Sequence, residues 1–186
     1  MGKNMSSHEI VDIVNAEDEI TDCVERHVMR EKHLPHRASY MAVLDGNGRF
    51  VVEIRTMSKD YAPGLFDACV GGVMQHGEEP KLAAKRELWE ELGIDADDER
   101  NKFYELGKLR VDYKSGRGFL YAYLYLVKSD AVTIRQKEEV SGIMLLSAKE
   151  LEALGASCTY DSLKVFEEIL KRAARQGLTA GAEYEH

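Results

Sequence analysis

The stretch at residues 71–94, GGVMQHGEEPKLAAKRELWEELGI, decides how this chain folds. Two glycines open it, Pro80 stands where a helix can begin, and Gly93 follows the last helical residue, Leu92. Proline at the first helical position and glycine just past the last one are the places where these residues disturb a helix least. The pattern therefore predicts a glycine-containing loop followed by a helix that ends at Leu92.

Three glutamates of this predicted helix, Glu87, Glu90 and Glu91, share one face, because their i, i+3, i+4 spacing matches about 3.6 residues per turn. Like charges four residues apart, and carboxylates at the negative C-terminal end of a helix, each cost a few tenths to about 1 kcal/mol. A hard divalent cation, Mg²⁺ or Mn²⁺, would offset that cost. The alternative is a solvated acidic face on which Arg86 pairs with Glu90.

The order of residues around these glutamates resembles a complete Nudix box, the signature of the Nudix hydrolases. The matching positions, in chain order, are Gly72, Glu78, Arg86, Glu87, Leu88, Glu90, Glu91, Gly93 and Ile94. The resemblance implies an α+β fold, an α/β/α sandwich in which a mixed β-sheet lies between helices. It also implies an enzyme that binds Mg²⁺ or Mn²⁺ and hydrolyses a nucleoside diphosphate linked to another moiety.

Roles for individual residues are implied by the same resemblance. The metal ligands would be the backbone carbonyl at Gly71 or Gly72 and the carboxylates of Glu87, Glu90 and Glu91. The catalytic residues would be Glu78, orienting the loop or the water, Arg86, holding the carboxylates, Glu87 as a base, and Glu91. Hydrolysis of a diphosphate requires neutralised phosphoryl charge and an activated water, and metal ions can supply both, so no protein nucleophile is needed.

The composition of the chain restricts its class, its partners and its location. Of the 186 residues, 44% are apolar and 31% charged, as in a globular domain, and the formal net charge of −8 argues against a nucleic-acid polymer as partner. No apolar run approaches the length of a membrane span, and three widely spaced cysteines favour a reduced, cytoplasmic location. We expect a disordered segment at 1–8, one domain at 9–176 and a flexible tail at 177–186.

Hydrophobic periodicity and turn signals predict the other elements. A strand at 9–15 pairs with 20–23, a helix covers 25–34, and strands 37–44 and 49–55 form a hairpin around the turn at 45–48. Further strands are expected at 102–113, 118–127 and 141–146, and further helices at 148–154 and 162–175. Asp161 is placed as the cap of the last helix.

Several cations and one more carboxylate are candidates for the site. Arg55 and Lys59 precede the box, and Arg117 lies in the turn after residue 113 with Lys114, so each could contact phosphate or remain a solvated surface charge. The resemblance also implies a further carboxylate from the loop before strand 141–146. We assign it to Glu139, with Glu138 as the alternative.

The tyrosines at positions 121, 123 and 125 alternate with apolar residues, so they lie on one face of their strand. That face could stack a nucleobase, or it could pack inside the protein as an amphipathic strand commonly does. The sequence does not choose between the two.

Outside the box, the chain is similar to the isopentenyl-diphosphate isomerase-like branch of the same superfamily over residues 9–165. It departs from that branch where the isomerase cysteine is expected, because Gly71 stands there and Cys69 is two residues away. The later glutamate pair is absent, and His36 lacks its partner histidine because Met29 stands at that position. Hydrolysis is therefore favoured over isomerisation.

The predicted substrate is a small phosphate-containing molecule, a nucleoside diphosphate derivative or a related organic pyrophosphate. Two alternatives remain: an isomerase-like enzyme, and a nucleotide-sensing module that binds without turnover. The oligomeric state is open and compatible with a homodimer.

Overall fold

The computed structural model describes residues 8–59, 61–131 and 140–179. The strands are β1 (Ile10–Val14), β2 (Ile20–Glu25), β3 (His36–Leu44), β4 (Phe50–Arg55), β5 (Phe66–Asp67), β6 (Val70–Val73), β7 (Lys102–Asp112), β8 (Phe119–Lys128) and β9 (Val140–Leu146). The helices are α1 (Arg26–Glu31), α2 (Pro80–Glu87), α3 (Ala148–Leu154) and α4 (Tyr160–Arg175), with a π-helical turn at Leu88–Leu92 and a 3-10 turn at Gly155–Ser157.

The nine strands form one continuous sheet, in which β3 pairs with β4. It has two parts, which we call the mixed sheet and the smaller antiparallel sheet. In the mixed sheet, β3 is central: it pairs in parallel with β8 and antiparallel with β6, and β7 extends the sheet beyond β8. In the antiparallel sheet, β4 lies between β5 and β9. The β1–β2 hairpin joins β3 through the pair Ile13 and His36.

Helices cover both faces of this layer, as the predicted α/β/α sandwich requires. On one face, α2 and the π turn bury Ala84, Leu88 and Leu92 against β3, β4 and β8. On the other face, α4 buries Phe166 and Ile169 against the opposite sides of the same strands. Because strand residues alternate between faces, each of these strands is apolar on both sides.

The predicted helix of residues 80–92 begins and ends where its sequence indicates. Pro80 is its first residue, and Gly93 follows it in the left-handed conformation with φ of 69°. Its last turn, Leu88–Leu92, is π-helical instead of α-helical. We call α2 together with this turn the acidic helix. Single π turns inside α-helices are frequently found at functional sites.

Three predictions of local structure were wrong in detail. The turn at 45–48 forms, but β3 and β4 share only the pair Leu44 and Phe50, because β3 takes β6 and β8 as partners. Helix α1 is shorter than predicted. Thr159, not Asp161, precedes α4, and the Asp161 carboxylate accepts hydrogen bonds from the hydroxyls of Tyr40 and Tyr61.

The tyrosine face of β8 packs inside the protein. The Tyr123 hydroxyl donates to Asp18 at 2.7 Å, the Tyr121 hydroxyl donates to the Ala16 carbonyl, and Tyr125 belongs to the core beneath the acidic helix. This face is therefore not a base-stacking surface. Of the predicted termini, 1–8 and 177–186, the structure describes only residue 8 and residues 177–179. Within the three described ranges, no helix is both long and apolar enough to span a membrane.

Candidate active site

The acidic helix forms one wall of a cavity of about 1120 Å³. The other walls come from α1, the loop that follows β4, the turn between β7 and β8, and the start of α4. Glu87, Glu90 and Glu91 all line this cavity, so the three carboxylates that share a predicted face also share a cleft.

Two of these carboxylates are buried, and the double glycine makes room for them. Glu87 is 9% exposed and Glu91 is 2% exposed. A Cβ atom at Gly72 would lie 2.7 Å from Glu87 Oε1, so a side chain at Gly72 would collide with the carboxylate. The Gly71 N–H donates to Glu91 Oε2 at 3.2 Å. Strand β6 therefore approaches the acidic helix closely enough to place its backbone among the carboxylates.

Arg86 holds the acidic groups in position. Its Nε and Nη2 donate to the two oxygens of Glu78 at 2.8 and 3.0 Å, and its Nη1 donates to Glu87 at 2.8 Å and to Glu90 at 3.1 Å. Glu78 in turn accepts the Gln75 N–H at 3.0 Å, which fixes the loop ahead of the acidic helix. One guanidinium thus serves three carboxylates.

The electrostatics of Glu78 and Glu87 differ. Burial raises the pKa of the Glu87 carboxyl, although Arg86 acts in the opposite direction. Burial acts on Glu78 as well, but the hydrogen bonds from Arg86 and the Gln75 N–H are together stronger and lower its pKa. Glu78 is therefore a satisfied structural anion, whereas Glu87 is only partly compensated by the protein.

This donor set fits a hard divalent cation. Carboxylate and backbone carbonyl oxygens are the ligands that Mg²⁺ and Mn²⁺ take, and the missing side chain at Gly72 leaves the space beside Glu87 open. The residues that could hold the ion are Glu87, Glu90, Glu91 and the backbone at Gly71 and Gly72. An excess of buried negative charge otherwise destabilises the fold.

Cations line the walls that face the acidic helix. Lys59 belongs to the loop after β4, and Lys114 to the β7–β8 turn, where its Nζ lies 5.6 Å from the centre of the Tyr160 ring. Helix α1 adds Arg26, which pairs with Glu9, and Arg30, which lies 5.7 Å from the Tyr61 ring centre. An anionic substrate would therefore meet positive charge in the same cavity as the carboxylates.

The other two predicted cations, Arg55 and Arg117, are less available to a substrate in the cavity than Lys59. Arg55 lines the cavity, but its guanidinium pairs with Asp67 and donates to the carbonyls of Tyr61 and Ala62. Arg55 thus holds the loop that carries Lys59. Arg117 is not among the residues that line the cavity: the turn brings Lys114 and Ser115 to the wall, and Arg117 stays exposed. Glu138 and Glu139 lie outside the described residues.

Sequence reasoning missed one group beside the site, Glu53. It stands inside β4, is 4% exposed, and its Oε1 has no hydrogen-bond partner among the described residues. Burial raises its pKa to about 8, and Asp67 and Glu87 add to that shift. The available signal was a glutamate between the apolar residues Val52 and Ile54 of a central strand, FVVEIR.

His36 and Cys69, which the isomerase resemblance singled out, are both buried and contact other groups of the protein. His36 Nδ1 lies 3.1 Å from the Leu34 carbonyl and 2.9 Å from the Tyr113 hydroxyl, and burial lowers the histidine pKa to about 4. Cys69 is buried with its Sγ 3.7 Å from the Ser162 carbonyl, and burial raises the thiol pKa.

Comparison with known proteins identifies the family of this chain. The NUDIX domain family model matches residues 34–165. The Nudix hydrolase YfcD of Escherichia coli (strain K12) is 38% identical over 173 residues, which cover 93% of this chain and 93% of that protein. The Nudix hydrolase PA4841 of Pseudomonas aeruginosa is 34% identical over 137 residues, covering 73% of this chain and 77% of that one.

The fold leads to the same family. The crystal structure of DR0079 from Deinococcus radiodurans matches with a TM-score of 0.74 and 25% identity, covering 87% of this chain and 99% of that one. The chain therefore belongs to the Nudix family and is an enzyme of the Nudix hydrolase class. The predicted α/β/α sandwich is confirmed.

Proposed function

We propose that this enzyme is a metal-dependent pyrophosphohydrolase that cleaves the diphosphate linkage of a nucleoside diphosphate derivative or a related organic pyrophosphate. The observation that supports it most is the burial of Glu87 and Glu91 in a cavity wall. In the same wall, the guanidinium of Arg86 bonds to three carboxylates, those of Glu78, Glu87 and Glu90. Such an arrangement suits a bound Mg²⁺ or Mn²⁺ ion. The opposing cations suit a substrate with several phosphoryl oxygens.

Each residue of the site would have its own role in hydrolysis. Glu87, Glu90, Glu91 and the backbone at Gly72 would hold the cation, which when bound neutralises phosphoryl charge and lowers the pKa of a water. Glu87 would also accept a proton from the attacking water, because its buried carboxylate lies in the cavity wall. Glu78 and Arg86 position the loop and the carboxylates. Glu139 remains a prediction as a further base or ligand.

Substrate contacts would come from the basic walls. Lys59 and Lys114 line the cavity on two different loops, so they can approach the same phosphate chain from two sides. Arg55 would act chiefly through the loop that it holds, since its donors already bond to Asp67 and to backbone carbonyls. Cytoplasmic location and a homodimer stay predictions from the sequence.

Isomerisation fits the geometry poorly. The isomerase cysteine would stand at Gly71, where φ is +144° and a Cβ atom would lie 2.0 Å from the Ser39 carbonyl oxygen. Cys69 does not replace it, because its thiol is buried and its pKa is raised away from the thiolate form. The isomerase-like branch therefore stays an interpretation of the sequence outside the box.

Binding without turnover is the second alternative. The NUDIX domain of Shewanella oneidensis NrtR has been crystallised with ADP-ribose, and it matches this fold with a TM-score of 0.58 at 16% identity. A likeness at that identity supports the fold alone. The acidic helix of the present chain brings Glu87, Glu90 and Glu91 to the cavity wall, which favours the hydrolase.

A panel of nucleotides, nucleotide sugars, dinucleotide cofactors and prenyl diphosphates tests the proposal. Phosphate or nucleotide release is measured with Mg²⁺ or Mn²⁺ for the wild type and Glu91→Gln. We expect metal-dependent turnover of at least one diphosphate by the wild type and its loss in the variant. Ligand-induced shifts of the melting temperature without turnover by either protein would support the sensing module instead.

A further inference from the structure

Glu53 is an acidic residue in a position where a strand normally carries an apolar side chain. It lies in β4, the central strand of the antiparallel sheet, opposite Asp67 of β5 and Ile143 of β9. It is 4% exposed, and its Oε1 has no hydrogen-bond partner among the described residues. An unpartnered buried polar atom costs about 1–3 kcal/mol, so it calls for a functional explanation.

The direction of the Glu53 side chain follows from the alternation along β4. Val51, Glu53 and Arg55 point to one face of the sheet. Val51 belongs to the core beneath the acidic helix, together with Leu88 and Leu92, and Arg55 lines the cavity. Glu53 therefore lies between the packing contact of the acidic helix and the cavity wall, about 6.6 Å along the strand from each.

The neighbours of Glu53 are other acidic groups of the site. Directly opposite, Asp67 uses one oxygen for Arg55 and the other for the Thr159 hydroxyl at 2.7 Å. The charge of Glu87 also acts on Glu53, which places the two carboxyl groups within electrostatic reach of each other. Arg55 and Lys59 act in the opposite sense, but neither makes a hydrogen bond to Oε1.

A second unpartnered oxygen lies on the same face of the layer. Ser39 Oγ is buried without a hydrogen-bond partner among the described residues. Ser39 stands opposite Gly72 in the β3–β6 ladder, and the residues two and four positions along β3, Met41 and Val43, pack beneath the acidic helix. Two buried polar groups on the acidic-helix side of the layer, Ser39 and Glu53, thus have an oxygen without a partner among the described residues.

We propose that Glu53 is a further carboxylate of the metal centre, supplying an oxygen to the cation held by Glu87 and Glu91 or to a water in its coordination shell. This inference rests on the proposed function. It assigns the centre a ligand, or a residue that positions one, from outside the box. It also gives the Oε1 atom of Glu53 the partner that it lacks among the described residues.

Binding of Mn²⁺, followed by the electron paramagnetic resonance signal of the free ion, tests the assignment without using activity. We expect Glu53→Gln to bind Mn²⁺ at least tenfold more weakly than the wild type, as loss of a supporting carboxylate typically does. Glu17→Gln, which removes an exposed carboxylate outside the cavity lining, should leave the affinity unchanged. Thermal unfolding without metal checks that each variant is folded.

The possible results separate this inference from the proposed function. Wild-type affinity in Glu53→Gln, with binding lost in Glu91→Gln, overturns the role of Glu53 and leaves the metal centre intact. Unchanged affinity in Glu91→Gln overturns the metal centre and the Glu53 assignment with it. If Glu53→Gln fails to fold, Glu53→Met fills the same space in an apolar strand, and the same loss of affinity is expected from it.

Discussion

The buried carboxylates of Asp18 and Glu87 differ in how far the protein balances their charge, and their pKa values shift in opposite directions. Asp18 is 7% exposed, and it accepts hydrogen bonds from Arg37 Nε at 2.7 Å, from Lys108 and from the Tyr123 hydroxyl at 2.7 Å. Burial alone would raise its pKa, but these partners together lower it. In the acidic helix, by contrast, burial prevails and the pKa of Glu87 is raised.

The difference separates a structural carboxylate from a functional one. Asp18 joins the loop after β1 to β3, β7 and β8, and its partners complete the charge balance within the protein. Glu53 and Glu87 are also buried, but in each of them burial prevails over the nearby positive charges and raises the pKa. Burial with complete partners thus indicates stability, and burial with missing partners indicates a ligand.

The largest expected effect is on catalysis, from Glu91→Gln. Because the proposed function places this carboxylate on the cation, we expect turnover to fall about 10³-fold, or about 4 kcal/mol in activation free energy. The free energy of unfolding without metal should be unchanged or higher. Steady-state kinetics measures the turnover, and urea unfolding measures the stability. If Glu91→Gln lost stability but kept full activity, Glu91 would be a structural carboxylate like Asp18.

Asp18→Asn should do the reverse. Asparagine tolerates the positive φ of 66° at this position, but it leaves Arg37 and Lys108 without their anion. We expect a loss of about 3 kcal/mol in the free energy of unfolding, with turnover by the folded enzyme unchanged. Urea unfolding beside kinetics at low temperature measures both. A turnover defect larger than the folded fraction explains would count against a purely structural role.

The pH dependence of stability sharpens the contrast. The folded pKa of Glu53, about 8, lies above its ordinary value of 4.5, so above pH 4.5 the unfolded chain binds fewer protons and stability falls as pH rises toward 8. Asp18 acts oppositely, and its contribution is lost only as pH falls below its ordinary value of 3.8. His36, with a folded pKa of about 4, influences the range below pH 6.5.

The window between pH 7 and 8 therefore reports mainly on Glu53. With a chelator present, the free energy of unfolding should fall there by at most about 1.4 kcal/mol for Glu53, and less in Glu53→Gln. The groups that act on Glu53 are Asp67, Lys59, Arg55 and Glu87. Identical slopes for wild type and variant in this window would show that Glu53 does not titrate there.

The smallest effect concerns the basic walls. Lys59 lines the cavity and Arg117 does not, so Lys59→Ala should raise KM about fivefold, or about 1 kcal/mol, and Arg117→Ala should leave it unchanged. The matched pair removes one positive charge in each case. Equal effects of the two variants would mean that substrate binding responds to net charge and not to the cavity.

Local signals in the sequence were sufficient for the acidic helix. Pro80 and Gly93 fix its ends without help from distant residues, and both ends were predicted correctly. The π turn was not predictable in this way, because it depends on how Leu88 and Leu92 pack against a sheet assembled from distant strands. The prediction that Glu87, Glu90 and Glu91 share a face still holds in one respect, since all three line the cavity.

Long-range pairing explains most of what the sequence could not provide. The turn at 45–48 is local and was predicted, whereas the partners of β3 come from residues 70–73 and 119–128. Tyr123 bonds to Asp18, 105 residues away, so its structural role was not visible from alternation alone. The place of Glu53 likewise depends on three strands meeting under the acidic helix. Glu139 falls outside the described residues and stays a prediction.

The central claim is that the protein balances only part of the negative charge on the carboxylates of the acidic helix, because a divalent cation supplies the rest of the positive charge. A crystal of the wild-type protein soaked in Mn²⁺ tests it through the anomalous scattering of manganese. We predict an anomalous peak within coordination distance of Glu87 and Glu91, with Arg86 still bound to Glu78. An absent peak, with Glu87 and Glu90 still bonded only to Arg86, would contradict the account.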